Sequence, residues 1–256
     1  MIAEIINVGS EILLGDIVNT NAQFLAQQLA RLGISVHYQT VVGDNAQRIK
    51  KALDIAFSRA QMVIMTGGLG PTKDDLTKEM LAQYFGKELV FDEKAFDDIK
   101  NRMKKHGVNQ VSSSNKKQAY FPQDAIILYN ENGTAPGCII EDNHKIAVLL
   151  PGPPREMQPM FMKYIDPYLS EYTDKSFFSV HIKLQNIGES MAADKINHLL
   201  DYSNPTVAPY AKEDGVVLRI TAAACNYDEA MTMINPIINE IKAVFTDKIR
   251  EIIMPI

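Results

Sequence analysis

Apolar positions in the first two-thirds of the chain follow two alternating rhythms. Short apolar runs rich in β-branched residues read as strands: Ile2–Val8 as a buried one, and Ile34–Val42 and Met62–Thr66 as a second and a third. Between them the apolar residues recur at helical spacing. Phe24, Leu25, Leu29 and Leu32 share one face of a helix that Thr20-Asn21-Ala22-Gln23 opens as a capping box and Gly33 closes. Asp44-Asn45-Ala46-Gln47 resembles a second cap, for a helix running to about Ala60, and a third helix is predicted to begin near Thr72 after a glycine-rich turn. Asp92–His106 repeats the helical pattern, and the polar stretch Asn109–Lys117 reads as a loop or lid. Ala125–Tyr129, Cys138–Glu141 and Ile146–Leu150 read as further strands, the first two joined by a turn around Asn132-Gly133, and Pro153 opens a helix to about Ser170.

Strands alternating with helices imply crossover connections and a mostly parallel sheet, hence an α/β fold. The pattern changes after Thr173: Phe177–Leu184, Gly188–Leu200, Thr206–Tyr210, Val216–Ala224 and Asp228–Phe245 read as strand, helix, strand, strand, helix. The chain is therefore divided into a first domain, 1–170, and a small α+β domain, 171–256, with the boundary inside Asp166–Asp174. The apolar ending Ile252–Ile256 suggests a piece of a longer chain.

Composition narrows the classes. With 256 residues, 46% hydrophobic and 22% charged, the chain has the makings of a real core. The net charge of −5 argues against nucleic acid as partner, and the basic pairs Lys50-Lys51, Lys104-Lys105 and Lys116-Lys117 read as solvated faces. Cys138 and Cys225 read as small core residues, and no Cys/His spacing suggests zinc. No apolar run approaches the roughly 20 residues of a membrane helix, and no signal-peptide core opens the chain, which points to a cytoplasmic protein without a membrane partner.

The candidate chemistry lies in the loops after the strands. Gly9-Ser10-Glu11, Gly43-Asp44, Thr66–Asp75 and Pro151–Glu156 each follow one, and parallel strands would bring all four to one carboxyl edge, where open α/β sheets bind ligands. In Thr66-Gly-Gly-Leu-Gly-Pro-Thr-Lys-Asp-Asp75, Gly67, Gly68 and Gly70 can let backbone N–H groups approach an anion. Lys73 adds a charge, and Asp74 and Asp75 can hold a divalent cation that bridges phosphate oxygens. The alternative is a turn with a Thr72–Asp75 capping box and an Asp74–Lys78 pair. Arg155 can clamp a phosphate and Glu156 can bind metal or orient water, or the prolines simply set the helix start. Asp44 reads as a helix cap or as a ligand to a hydroxyl or metal, and Thr134 as part of a hairpin turn or as a hydroxyl for phosphate. The turn is neither a Walker loop nor a dinucleotide fingerprint, and Ser10 has no histidine base for a hydrolytic triad.

These segments resemble the competence/damage-inducible protein CinA family. The resemblance rests on Gly9-Ser-Glu-Ile-Leu-Leu-Gly-Asp-Ile-Val-Asn-Thr-Asn21, Val42–Asn45, Thr66–Thr77, Gly133–Gly137 and Leu150–Met157, and continues through Gly188-Glu-Ser190 and Pro205–Lys212. It implies a three-layer MoaB/MogA-like (molybdopterin-binding) domain followed by a small KH-like domain, with functional aspartates at Asp44 and Asp75. Many relatives of this kind also carry a C-terminal amidase domain, which this sequence lacks. Three positions depart from the family pattern: Ser10 replaces a threonine, Asn130-Glu131-Asn132 an Asn-Pro-x, and Gln185-Asn186 a glycine before Ile187.

The resemblance further implies metal-dependent ADP-ribose pyrophosphatase activity, yielding AMP and ribose 5-phosphate. The expected ligand-binding positions are Gly9, Ser10, Glu11, Asn19, Thr66, Gly67, Gly68, Gly70, Thr134 and Gly152. The expected ligands of a Mg²⁺-like ion are Asp44, Asp74, Asp75 and Glu156, and Asp75, Lys73, Arg155, Glu156 and Lys212 are the expected catalytic groups. The alternative is a module that binds a nucleotide or pterin-type phosphorylated ligand without hydrolysing it. A homodimer is the expected assembly.

Overall fold

The apolar runs Ile2–Val8 and Met62–Thr66 become central strands because both faces of their sheet are covered, whereas Ser35–Val42 lies at the sheet edge with half of its residues exposed. In the computed structural model, which describes residues 1–105, 107, 112–172, 176–212 and 214–254, the chain opens with β1 (Ile2–Val8), α1 (Ser10–Leu14) and α2 (Thr20–Arg31). Next come β2 (Ser35–Val42), α3 (Ala46–Ala56), β3 (Met62–Thr66), α4 (Thr77–Tyr84), β4 (Leu89–Phe91), α5 (Glu93–Lys105) and α6 (Ser113–Lys117). β5 (Tyr120–Pro122), β6 (Ile126–Leu128), β7 (Gly137–Asp142) and β8 (Lys145–Leu150) precede a helical run of α7 (Pro154–Met160), a π-helical segment (Phe161–Ile165) and α8 (Asp166–Ser170). Pro159 and Pro167 each lack an N–H, which accounts for the local break from α-helical bonding.

The large sheet has the order β2-β1-β3-β8-β7-β6. β2, β1, β3 and β8 run parallel, while β7 and β6 form an antiparallel margin. Side chains alternate across it. Ile6, Val8, Val63, Met65, Ala147 and Leu149 join one core with Ile49 and Leu53 of α3, Leu81 of α4 and Ile99 of α5. The intervening residues, among them Ile5, Ile64 and Val148, are equally buried on the opposite face, where Leu25 and Leu29 of α2 and Met157, Phe161 and Ile165 of the last helix are also buried. Phe24 and Phe161 meet there edge to face, with ring centroids 5.7 Å apart.

Several expectations need correction. Asn19, not Thr20, caps α2, accepting from Ala22 N–H through Oδ1. The cap of α3 is Asn45, whose side chain accepts from Arg48 N–H, and this releases Asp44. The helix after the glycine turn starts at Thr77, not near Thr72, because Asp74 and Asp75 turn back onto Thr72. Lys78 does not pair with Asp74 but points inward. Residues 109–111 of the expected loop lie outside the described residues, and Ser113–Lys117 is a helix capped by Ser112. β4 and β5, which pair with each other, are too short to show periodicity.

Contact clustering separates Met1–Ala30 and Ile34–Glu171 from a second unit of Arg31–Gly33 and Tyr172–Ile256. The second unit holds β9 (Ser176–Leu184), α9 (Glu189–Lys195), α10 (Asn197–Leu200), β10 (Thr206–Lys212), β11 (Gly215–Ala224), α11 (Tyr227–Phe245) and β12 (Ile249–Ile253). Its antiparallel sheet, β10-β11-β9-β12, packs one face against Ile234, Ile238 and Ile241 of α11. β12 places Ile252 and Ile253 of the apolar ending beside β9. Cys138 is buried in the first unit as expected, but Cys225 is exposed. No helix among the described residues is long and apolar enough to cross a membrane.

Ile64 sits in β3 with no exposed surface. Ile64→Ala should lower the stability of the first unit by about 2–5 kcal/mol through lost burial and a residual cavity. Denaturant titration of both proteins measures it.

Candidate functional site

The chain leaves β1 toward β2 on one side and returns to β3 on the other, so the sheet has a topological switch point between β1 and β3. A cavity of about 390 Å³ opens at that carboxyl edge. It is lined by Val8, Gly9 and Glu11 after β1, Asp44 after β2, Gly67–Pro71, Asp74 and Asp75 after β3, and Pro151–Pro153 with Glu156 after β8. Thr134 and Ala135 of the β6–β7 connection and Gln118 complete the wall.

The glycine turn is shaped by close approach. Gly67 and Gly68 have φ of 93° and 66°, and a Cβ at Gly67 would stand 2.1 Å from the Val8 carbonyl oxygen. At Gly68 it would stand 2.1 Å from Thr77 Oγ1. Gly67 N–H does not face a ligand, since it donates to Leu150 O (3.1 Å), and Gly9 N–H likewise donates to Val42 O (3.0 Å). The N–H groups of Gly68, Leu69 and Gly70 have no acceptor among the described residues. Three consecutive free donors on a turn form a concave anion cradle.

Carboxylates surround this cradle. Asp44 Oδ2 accepts from both the backbone N–H (2.9 Å) and the hydroxyl (3.0 Å) of Ser10, which fixes it at the rim. Asp75 Oδ2 accepts from Thr72 N–H at 2.9 Å, and the Thr72 hydroxyl lies against both Asp74 and Asp75, holding the Asp74 carboxyl below its ordinary pKa. Glu156 is 8% exposed; its Oε2 accepts from Asn130 Nδ2 at 2.8 Å, and it packs so tightly on Gly133 that a Cβ there would stand 1.8 Å from Oε2. Glu11 folds back against Gly9.

The remaining expected positions separate. Thr66 and Asn19 lie below the floor, where Asn19 donates to Asn7 Oδ1 (3.0 Å) and Asn7 donates to Thr66 Oγ1 (2.8 Å). That chain ties the ends of β1 and β3 to the start of α2. Both residues, with Gly152, border a narrow annex. Lys73 and Arg155 are exposed and outside the lining. Lys212 belongs to β10 of the second unit. Among the described residues no three His, Cys, Asp or Glu side chains converge on a point that could hold a metal ion.

Three contributors were not foreseen. Lys117 donates to the Thr72 carbonyl (3.2 Å) and the Asp75 carbonyl and pairs with Glu79 (3.2 Å), pinning the acidic loop from behind. Lys78 is 3% exposed; its Nζ donates to Gln118 O at 2.6 Å and lies over the Phe121 ring. Gln118 Nε2 in turn donates to Leu69 O at 3.2 Å, so a buried cation steadies the cradle through one side chain. In the sequence Lys117 and Gln118 carried no signal beyond a polar stretch. Those partners lie 38 to 49 positions away.

A mostly parallel sheet with a glycine turn and a crevice at its switch point defines an α/β domain of the doubly covered, open-sheet type. The family model described as probable molybdopterin binding domain matches residues 4–171, and that of the damage-inducible protein CinA KH domain matches residues 179–249. The chain belongs to the molybdopterin-binding-domain family, in the two-domain arrangement of the CinA proteins. Competence-damage inducible proteins of Clostridium perfringens and Clostridium tetani are 54% and 52% identical over 250 residues, 97% of this chain. The chain spans about 60% of the length of these curated relatives. The crystal structure of the protein CinA from Thermoplasma acidophilum matches with a TM-score of 0.60 at 38% identity, over 66% of this chain and 97% of that one.

Gly133→Ala should push Glu156 out of its pocket and cost about 1–3 kcal/mol in thermal or chemical denaturation, as overpacking does. Adding Glu156→Ala should restore part of that loss. Burial pushes the Lys78 ammonium down to about 8, against the opposing influence of buried Cys138 and of Glu79, with Lys117 acting in the same direction as burial. From about pH 8 to the free value near 10.4 the unfolded chain therefore holds more protons, and stability rises with pH. Relative to Lys78→Met, the native protein should gain up to about 3 kcal/mol across that window, read from paired denaturation curves.

Proposed function

We propose that the first unit is a divalent-cation-dependent pyrophosphatase that hydrolyses ADP-ribose to AMP and ribose 5-phosphate. One observation carries this reading. The cavity offers free backbone donors for phosphate, yet its side-chain charges are five carboxylates (Glu11, Asp44, Asp74, Asp75, Glu156) and no lysine or arginine. A pyrophosphate entering alone would be repelled, so the cavity suits a phosphate that arrives with cations. The family resemblance of the loops supplies the substrate.

The donor set fits a hard cation shared with the substrate better than a closed protein cage. Mg²⁺ keeps several waters and takes one or two carboxylates plus phosphate oxygens. Asp74 and Asp75, gathered on Thr72, would hold it, with Asp44 as the carboxylate on the neighbouring loop. When bound, such an ion neutralises phosphate charge and lowers the pKa of a coordinated water. Gly68, Leu69 and Gly70 N–H groups receive the phosphoryl oxygens and stabilise the charge that develops there. Glu156 Oε2 is taken by Asn130, leaving Oε1 to accept a hydrogen bond, and then a proton, from water. Water adds across the P–O–P bridge, and each product keeps one phosphate. Ser10 keeps Asp44 oriented, while Lys73 and Arg155 act only as outer charges at the rim.

A reading as a module that binds without hydrolysis draws on one fact, that no three potential ligands converge in advance. The two readings differ in product. Incubation with ADP-ribose, with and without Mg²⁺ or Mn²⁺, should release AMP only with metal. Asp75→Ala should reduce that release by about tenfold or more, since even supporting partners of metal ligands are worth that much. Metal-independent release, or full activity of Asp75→Ala, sinks the assignment. Binding with no release under any metal favours the module.

A further inference from the structure

A second cavity of about 430 Å³ lies in the first unit and shares no lining residue with the first. One wall is a polar stripe along α5, and the others are the start of the β6–β7 connection and the π-helical segment. Its volume is in the range of small-ligand sites, but its surface is unlike most of them: no aliphatic side chain lines it. Four cationic side chains face two carboxylates there, in a chain whose net charge is −5.

The internal pairing leaves part of that charge unused. Lys163 is taken by Glu131, and Lys94 Nζ lies 3.9 Å from the centroid of the Tyr129 ring. Arg102 and Lys105, one turn apart on α5, make no hydrogen bond or close ion pair with any described residue, although the Arg102 charge, after the Lys163 contact, helps hold the Glu131 carboxyl below its ordinary pKa. Arg102 offers a planar fork and Lys105 a point charge, a pairing suited to a phosphate group. Asp98, the preceding turn's residue on the same stripe, likewise makes no hydrogen bond or ion pair among the described residues, and Asn101 lies beside it. A carboxylate and an amide next to a phosphate site accept and donate to hydroxyl groups, whereas an acyl chain would find no aliphatic side chain to cover it, the only apolar surfaces in the lining being the rings of Tyr129 and Tyr164.

We propose that this cavity is a binding site for a small phosphorylated sugar, with the phosphate on Arg102 and Lys105 and the hydroxyls on Asp98 and Asn101. The site shares no lining residue with the acidic cavity, although its Asn130 donates to Glu156 there, and it does not depend on hydrolysis. Isothermal titration of the 256-residue chain with ribose 5-phosphate, ribose and inorganic phosphate tests it. Ribose 5-phosphate should bind, and the double variant Arg102→Gln/Lys105→Gln should weaken it by about tenfold or more, the worth of a charge-assisted pair. Asp75→Ala, in the acidic cavity, should leave this binding unchanged, and Asp98→Asn should weaken the sugar phosphate but not inorganic phosphate. Melting curves establish that the variants fold; Lys105→Gln alone, at an exposed position, gives the same direction of change if the double variant does not. Absence of ribose 5-phosphate binding in the millimolar range, indifference to the α5 variants, or loss in Asp75→Ala overturns the proposal. Inorganic phosphate binding as tightly as the sugar phosphate overturns the sugar assignment.

Discussion

The close approach of the β3 turn to the end of β1 is the constraint on which the rest of the site depends. At Gly67 the backbone passes where any side chain would collide with the Val8 carbonyl, and at Gly68 it presses on Thr77 Oγ1. The Thr77 hydroxyl then donates to Gly67 O (3.0 Å) and its N–H to Gly68 O (3.2 Å), so the start of α4 is stitched to the same two residues. Turning the chain this sharply spends the Gly67 N–H on Leu150 and leaves the next three donors, on residues that line the crevice, without an acceptor among the described residues. Steric necessity and the row of unpartnered donors are thus two results of one backbone path.

Behind that path lies a buried polar framework. Asn19, Asn7 and Thr66 bind one another across β1, β3 and the entrance to α2, and Lys78, Gln118 and Leu69 do the same across α4, the end of α6 and the turn. Polar groups buried without partners are costly, so a satisfied network admits few alternative arrangements. Rigidity at the crevice follows from this pairing as much as from the apolar core beneath it. The buried Cys138 thiol, pushed up to about 12 by desolvation, stays protonated and acts only as packing.

The electrostatic character of the first cavity differs from what its loops suggest when read in a line. Lys73 and Arg155 sit among the glycines and prolines of the sequence, yet both side chains lie outside the lining, whereas the neighbouring Asp74, Asp75 and Glu156 face inward. Of the mixed charges expected there, only the carboxylates line the crevice, and in the proposed reaction positive potential comes from backbone dipoles and from cations brought with the substrate. The positive side chains cluster elsewhere, along α5.

Much of this was legible in one dimension. Continuous β-branched runs identify buried parallel strands because both faces of such strands need apolar cover, and the loops after them must then share an edge. That logic, with the loop motifs of the CinA family, determined the fold class, the two-part chain and the neighbourhood of Asp44, Gly67–Gly70, Asp75 and Glu156. Only the tertiary structure decided which residue of each loop turns inward, that Asn45 rather than Asp44 caps α3, that α4 starts at Thr77, and that Lys117 and Gln118 serve the site. Periodicity and local motifs report interactions over a few positions along the chain. Side-chain direction at a loop and hydrogen bonds between residues more than forty positions apart exist only once the sheet has brought those segments together.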